Sequence, residues 1–309
     1  MNIIIHRGTH QIGGSAIEIS TASTRIILDF GNELSLDEKY IPINLDIDGV
    51  TKGMPDCDGI VISHYHMDHL GQLTSVFPEI PLYMGELSKE VAMIATEHQD
   101  KDLYLRLLGA NTFRGGEAFT IGNIHIRPLV IDHSAVDSYM FVIEAEGKRV
   151  LYTGDFRMHG LRSHIVEKLV KTYIGEVDVL ITEGTLVSRG VNDGISEAAV
   201  LEDISSYIQD GKYVFVICSS TNIDRIMGVW QNMPSDKVLI CDAYQKRILD
   251  TVINNVYYES SLYRRHDSPL VLNKGSYPKY YMDHGFVSLV RGTEKFIFHI
   301  KEFPKDDVR

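Results

Sequence analysis

The stretch VISHYHMDHLGQL, residues 61–73, sets His64, His66, Asp68 and His69 within six positions, directly behind the apolar run 59–62. Imidazole nitrogens and carboxylate oxygens are ligands for divalent metals. If His64 and His66 lie on extended backbone just past a strand, side chains two apart point the same way and reach one ion. Asp68 and His69, opening the next helix, then face a neighbouring position. Four protein ligands on one zinc would close a tetrahedral site against water, whereas three per ion with a shared bridge leave room for chemistry, so the pattern points to two metals. The plain alternative is a polar turn of surface histidines with Asp68 as a helix N-cap.

A dinuclear centre needs a further histidine and a carboxylate between the ions. VIDHSAVDS offers His133 and LYTGDFR offers Asp155, each behind an apolar strand, as His64 is. Taken singly they read as an ordinary partly buried histidine and a turn aspartate. Their common strand-end placement is what favours ligation.

The elements that must position these residues follow from periodicity. Strands are expected over 2–6, 12–20, 24–29, 59–63 and 81–84, with a helix from about residue 68 and another over ELSKEVAMIATEH. Residues 31–57 lack sustained periodicity and read as a long loop with a binding role. Residues 118–155 return to strands, with a hairpin turn at Glu146-Gly147-Lys148, then a helix near 163–172 and the strand VDVLITEG. From 195 onward helices and strands alternate, the pattern of a parallel α/β unit. The expected boundary lies near 186–195, giving domains 1–188 and 189–309. Gly13-Gly14 precedes a strand and no Gly-Lys-Ser/Thr follows, so it reads as a tight turn and not as a phosphate loop.

With 309 residues, 44% of them apolar, the chain can bury two cores. No apolar run approaches membrane-spanning length and no charged-then-apolar leader follows Met1, so the expectation is a cytoplasmic protein with no membrane partner. Cys57, Cys218 and Cys241 are far apart and suggest neither a disulfide framework nor a thiolate zinc site. A net charge of −12 argues against a broad basic surface for nucleic acid, although a bound metal or a local groove supplies positive potential on an acidic protein. The tyrosines and basic residues of YYESSLYRRHDSP read as a solvated loop before they read as a stacking surface.

These motifs resemble the metallo-β-lactamase fold hydrolases and, within them, the β-CASP branch that includes ribonuclease J and the mRNA 3′-end processing nucleases. Asp29 in ILDFG, the HYHMDH cluster, His133 in HSAVDS and Asp155 in TGDFR fall in the family's order, and the likeness covers most of the chain. It implies an αββα sandwich with an inserted β-CASP-like α/β domain. By the resemblance His64, His66 and His133 hold a first zinc, Asp68 and His69 a second, and Asp155 bridges. Asp29 orients a ligand loop through hydrogen bonds. Glu183 in VLITEGT matches the acidic residue the branch carries there. In CSSTNIDRI, where many members have a histidine near Asp224, Ser220, Asn222 and Arg225 are candidate phosphate contacts through a helix N-terminus and a guanidinium. Ser134, beside His133, is a further substrate-binding candidate.

One departure stands out. The branch delivers a final histidine to the second zinc in a Ser-Gly-His context, which none of His266, His284 and His299 has. The chain is therefore expected to stop before the fold closes and to hold its second metal weakly.

The function expected is that of a zinc-dependent RNA phosphodiesterase, a ribonuclease in which a hydroxide held between two metals attacks phosphorus. Asp68 would orient that hydroxide, with Asp29 and Glu183 supporting the centre. Mn2+ or Fe2+ also suit the ligands. RNA is the expected partner, and homo-oligomerisation is left open. The alternatives are a hydrolase of another small ester, thioester or phosphodiester on the same fold, and a non-catalytic RNA-binding protein that keeps metal for stability.

Overall fold

Short apolar runs separated by glycine-rich turns build two facing sheets in the first part of the chain. The computed structural model describes residues 1–34, 43–185, 187, 195–255, 269–271, 283–291 and 303–309. The first sheet holds β1 (Asn2–Arg7), β2 (Ala16–Ser20), β3 (Arg25–Leu28), β4 (Gly59–Val61), β5 (Leu82–Gly85) and β6 (Asn111–Phe113), in that spatial order. β1 to β3 form an antiparallel meander, and β3 to β6 run parallel. Between the strands lie α1 (Met67–Leu70), α2 (Glu86–Thr96) and α3 (Lys101–Leu108). The second sheet holds β7 (Phe119–Ile121), β8 (Ile124–Val130), β9 (Tyr139–Ala145), β10 (Lys148–Tyr152) and β11 (Val179–Ile181) in the order β11-β10-β9-β8-β7. The helix α4 (Ser163–Leu169) precedes β11 and runs on into a π-helical turn.

The two sheets pack face to face through Ile17, Ile19, Ile26, Leu28 and Val61 on one side and Ile124, Ile126, Phe141, Ile143 and Val150 on the other. β9 is buried along nearly its whole length because both its faces are covered. Tyr139, Phe141 and Ile143 enter the inter-sheet core, while Met140 and Val142 meet Val166 and Leu169 of α4 on the outer face. On the outside of the first sheet α2 packs against β5 and β6. The layers are therefore helix, sheet, sheet, helix, the αββα sandwich.

The expected helix from residue 68 is a single turn, Met67–Leu70, followed by a 3-10 turn at Leu73–Ser75. α3 was not expected, although its signals are present: Asp100 caps it by accepting from the Leu103 amide, and Leu103 and Leu107 fall four apart on the buried face. The hairpin at Glu146-Gly147 forms as read, with positive φ at both residues, the geometry that matches the twist of β9 and β10.

The chain divides into two compact units, residues 1–158 with 162–192, and 159–161 with 193–309. The second contains α5 (Glu197–Asp210), β12 (Tyr213–Ile217), α6 (Ile223–Gln231), β13 (Val238–Cys241), α7 (Ala243–Asn254), β14 (Leu270–Val271) and β15 (Phe286–Val290). Among the described residues its four strands are all parallel, in the order β12-β15-β13-β14. Residues 159–161 join it because the Glu197 amide donates to the His159 carbonyl. Among the described residues no helix is long and apolar enough to cross a membrane. His266, His299 and the stretch YYESSLYRRHDS lie outside the described residues, and His284 sits exposed just before β15.

Candidate metal centre

β3 and β4 are parallel neighbours, and β8, β10 and β11 share one direction in the second sheet. Loops leaving strands of one direction emerge at one edge. Asp29 follows β3, the His64–His69 segment follows β4, His133 follows β8, Asp155 follows β10 and Glu183 follows β11. The two sheets meet at this edge through the Tyr139 amide, which donates to the Ser63 carbonyl.

The atoms that could ligate a metal fall into two overlapping groups, His64, His66 and His133, and His64, His69 and Asp155, with the candidate atoms of each lying within 4.8 Å of one another. In the first, His66 Nδ1 stands 3.1 Å from both His64 Nε2 and His133 Nε2. Burial, reinforced by the charge on His69, pulls the His66 imidazole down to about 4. Burial likewise brings His133 down to about 3 and holds His64 well below the ordinary histidine range. All three are neutral at physiological pH, so their lone pairs are available to a cation.

The second group is organised by Asp29, which is fully buried. Its Oδ1 accepts from the Ser63 amide at 2.7 Å. Its Oδ2 accepts from Ser63 Oγ at 2.8 Å, His69 Nδ1 at 2.7 Å and Tyr152 Oη at 2.6 Å. Two tautomers follow. His69 donates from Nδ1, leaving Nε2 to face Asp155 Oδ1 at 3.3 Å and Asp68 Oδ2 at 3.7 Å. Ser63 Oγ spends its one proton on Asp29, so at 3.0 Å it accepts from His64 Nδ1, which leaves the His64 Nε2 lone pair facing His66. A carboxylate that fixes the tautomer and aim of a ligating imidazole is the usual support of a metal-binding histidine.

Electrostatics mark the place for positive charge. Burial acts against a charged His69, but Asp29 and Asp155 outweigh it and hold the ring well above its ordinary value. Without an ion Nε2 therefore carries a proton too, the one that a bound cation would displace while Asp29 keeps the proton on Nδ1. Burial acts against an ionised Asp155 as well, and the bond and charge of His69 outweigh it, so its carboxyl stays below the usual range. Asp68 is raised, chiefly by burial. Imidazoles converging on a point beside two carboxylates form a donor set that fits a pair of divalent ions, the first with three nitrogens and the second with mixed nitrogen and oxygen.

Bracing residues absent from the motif reading complete the edge. Asp132, fully buried, accepts from Arg157 Nε at 2.8 Å and from the Arg162 amide at 2.9 Å, while the Arg157 amide donates to its carbonyl at 2.9 Å. This ties the His133 loop to the Asp155 loop. Gly154 has φ of +54°, and a Cβ there would lie 3.0 Å from the Ser63 side chain and the Tyr139 carbonyl, so no other residue seats Asp155 as well. Ser63 and Tyr152 carried no motif signal, but a polar-tipped tyrosine ending a buried strand needs a partner for its hydroxyl.

The remaining candidates are distributed as follows. Glu183, half-buried, accepts from the Phe156 amide at 2.8 Å, one residue from Asp155. Ser134 is half-buried beside His133. Ser220, Asn222 and Arg225 lie in the second unit. Ser220 is buried and, like Asn222 Oδ1, its Oγ has no hydrogen-bond partner among the described residues. Arg225 forks onto the buried Glu197 through Nε at 2.7 Å and Nη2 at 2.9 Å, an ion pair the sequence pattern did not disclose.

An αββα sandwich with histidines and aspartates gathered at one strand edge defines a class of metallohydrolase folds, and comparison with known proteins places the chain within it. Residues 38–199 match the β-lactamase superfamily domain. The chain belongs to the β-lactamase superfamily. It is 26% identical over 281 residues to endoribonuclease YSH1 of Gibberella zeae, covering 84% of this chain and 32% of that protein. It is 27% identical over 224 residues to an RNase J-like protein of Methanocaldococcus jannaschii, covering 68% and 49%. Over 168 residues it is 26% identical to ribonuclease J of Helicobacter pylori, covering 49% of this chain and 22% of that one. The chain thus spans half or less of the length of these curated relatives. A crystal structure of a protein of unknown function from Enterococcus faecalis V583 superposes with a TM-score of 0.73 at 16% identity, covering 99% of this chain and 86% of that one, a likeness of fold alone.

Proposed function

We propose that the chain is a metal-dependent phosphodiesterase acting on RNA, with zinc the first choice of ion and manganese or iron suited to the same ligands. The observation that carries this reading is the convergence of His64, His66 and His133 beside His69, Asp155 and Asp68 at one strand edge. His64, His66 and His133 would hold one ion, Asp68 and His69 the other, and Asp155 would serve both. Bound there, the ions would supply Lewis acidity at phosphorus and a lower pKa for the attacking water.

The chain's own residues supply position and proton control. Asp29 keeps His69 in the tautomer whose Nε2 faces the centre. Asp68, partly open to solvent, orients the attacking water. Glu183 steadies the Asp155 loop through the Phe156 amide. In the second unit Ser220 and Asn222, at the amino end of α6, offer polar atoms to a substrate phosphate, and the Arg225–Glu197 pair holds α6 on α5 behind them. The ribonuclease names of the curated relatives support RNA as the substrate class.

The test is cleavage of labelled RNA, single-stranded DNA, a bis-aryl phosphodiester, a lactone and a thioester by the zinc- or manganese-loaded chain. RNA cleavage abolished by a chelator and restored by metal is the expected result. Turnover confined to a lactone or thioester would move the chain to the small-ester hydrolases, and RNA binding with bound metal but no cleavage would make it a binding protein.

A further inference from the structure

The one-turn helix α1 carries Asp68 and His69, and so short a helix closes only the Gly71-to-Met67 bond on its own carbonyls and leaves those of Asp68 and His69 without partners inside it. Two other segments satisfy them. The amides of Gly14 and Ser15 both donate to the Asp68 carbonyl, at 3.1 and 3.2 Å. Those of Phe30 and Asn32 donate to the His69 and Met67 carbonyls, at 2.7 and 2.9 Å. The fit is close, since a Cβ on Gly31 would fall 1.7 Å from the Asp68 carbonyl oxygen. The turn after β1 and the loop after β3 thus form a cradle for the Asp68-His69 backbone.

Both halves of the cradle are held by one side chain. Arg7, at the end of β1 and only 7% exposed, donates from Nε to the Gly14 carbonyl at 2.9 Å and from Nη2 to the Gly31 carbonyl. Its Nη1 donates to the Ile43 carbonyl at 2.8 Å, and Gln72 Nε2 reaches that same carbonyl at 2.9 Å. A planar guanidinium can serve three carbonyls in fixed directions, which a lysine ammonium on a flexible stem cannot reproduce.

We infer that Arg7 is a positioning residue for Asp68 and His69, setting through the Gly14 and Gly31 carbonyls where these two side chains meet the metal. The inference rests on reading the cluster as a metal centre. His64 and His133 are placed by the ends of β4 and β8, away from the cradle, so loss of Arg7 should act on one of two metal equivalents and spare the other.

The experiment is stepwise zinc titration against a chromophoric chelator, on the parent chain and on Arg7→Lys, Arg7→Met, Asp68→Ala and Arg106→Lys. Asp68→Ala marks which equivalent depends on α1. Arg106 is a matched control, a guanidinium that donates to the Phe77, Pro78 and Ile80 carbonyls and belongs to no part of the centre. Removing support around a ligand typically weakens metal binding about 10- to 100-fold. The Arg7 variants should weaken the equivalent marked by Asp68→Ala by at least about tenfold and leave the other within about threefold, while Arg106→Lys alters neither. Far-UV circular dichroism of the metal-free variants checks that each is folded, and Arg7→Lys carries the test where Arg7→Met is not. An Arg7→Lys chain that binds both equivalents like the parent, or weakens both by one factor, overturns the role given to Arg7 and leaves the metal centre standing. A parent that takes up no zinc overturns the metal-centre reading and the inference with it.

Discussion

Asp29→Asn is the sharpest probe of how the centre is organised. The substitution keeps size and shape, and asparagine tolerates the left-handed backbone found there, φ +57°. What changes is the acceptor count. The carboxylate accepts four hydrogen bonds, three of them on Oδ2, whereas an amide offers one oxygen and one NH2. If the amide oxygen takes the place of Oδ2, its NH2 opposes the Ser63 amide, donor against donor. If it turns over, the NH2 faces His69 Nδ1, and the imidazole must move its proton to Nε2, the atom that would ligate. The first arrangement leaves a buried donor unsatisfied at about 1–3 kcal/mol. The second removes a metal ligand. Either route should weaken the equivalent held by His69 about 10- to 100-fold, or about 1.4–2.8 kcal/mol, and leave the three-histidine equivalent nearly intact. Chelator competition reads the affinities, and the 15N shifts of the His69 ring read the tautomer. An Asp29→Asn chain with parent affinity for both equivalents, and with the His69 proton still on Nδ1, would refute the reasoning.

Three further outcomes are expected. Asp155→Ala should reduce the content of both metals, because its carboxylate would serve each, while Asp68→Ala should empty mainly one; equal losses by elemental analysis contradict the assignment. Glu183→Gln keeps an acceptor for the Phe156 amide, so thermal stability and metal content should hold while RNA turnover falls, and unchanged turnover removes Glu183 from the mechanism. Burial pushes the Asp137 carboxyl up from 3.8 to about 6, against the bonds from Tyr139 Oη and the Ser88 and Leu87 amides. The folded chain thus keeps a proton that the unfolded chain releases, and stability should fall as pH rises from about 4 to 6, by about 3 kcal/mol in all. Asp137→Asn should flatten that slope in denaturant titrations, and a variant with the parent's full pH dependence would show that another group is responsible.

That His64, His133 and Asp155 would gather at one edge was legible because each lies three residues past the end of an apolar strand, a linear signal that survives without coordinates. The alternation that defines β8 and the turn chemistry at Glu146-Gly147 were legible for the same reason, being local. What could not be read was long-range. Tyr152 lies 123 residues from Asp29 in sequence, and nothing near either names the other. The Asp132–Arg157 pair and the fork of Arg225 onto Glu197 are likewise meetings of distant segments. The length of α1 was not legible either, because the turn carrying Gly14 and Ser15 and the loop after β3 satisfy the Asp68 and His69 carbonyls from outside the helix.

The split origin of the proposed ligands has a mechanical consequence. His64, His66 and His69 come from the first sheet, His133 and Asp155 from the second, so an ion bound by both sets is a reversible staple across the sandwich. An ion that binds only the folded chain adds about 4 kcal/mol of stability at a thousand times its dissociation constant, comparable to a disulfide closing a long loop. The ends of β4, β8 and β10 would then separate more readily when metal is withdrawn. Availability of the ion would set how long this edge stays assembled as well as whether the proposed chemistry can occur there.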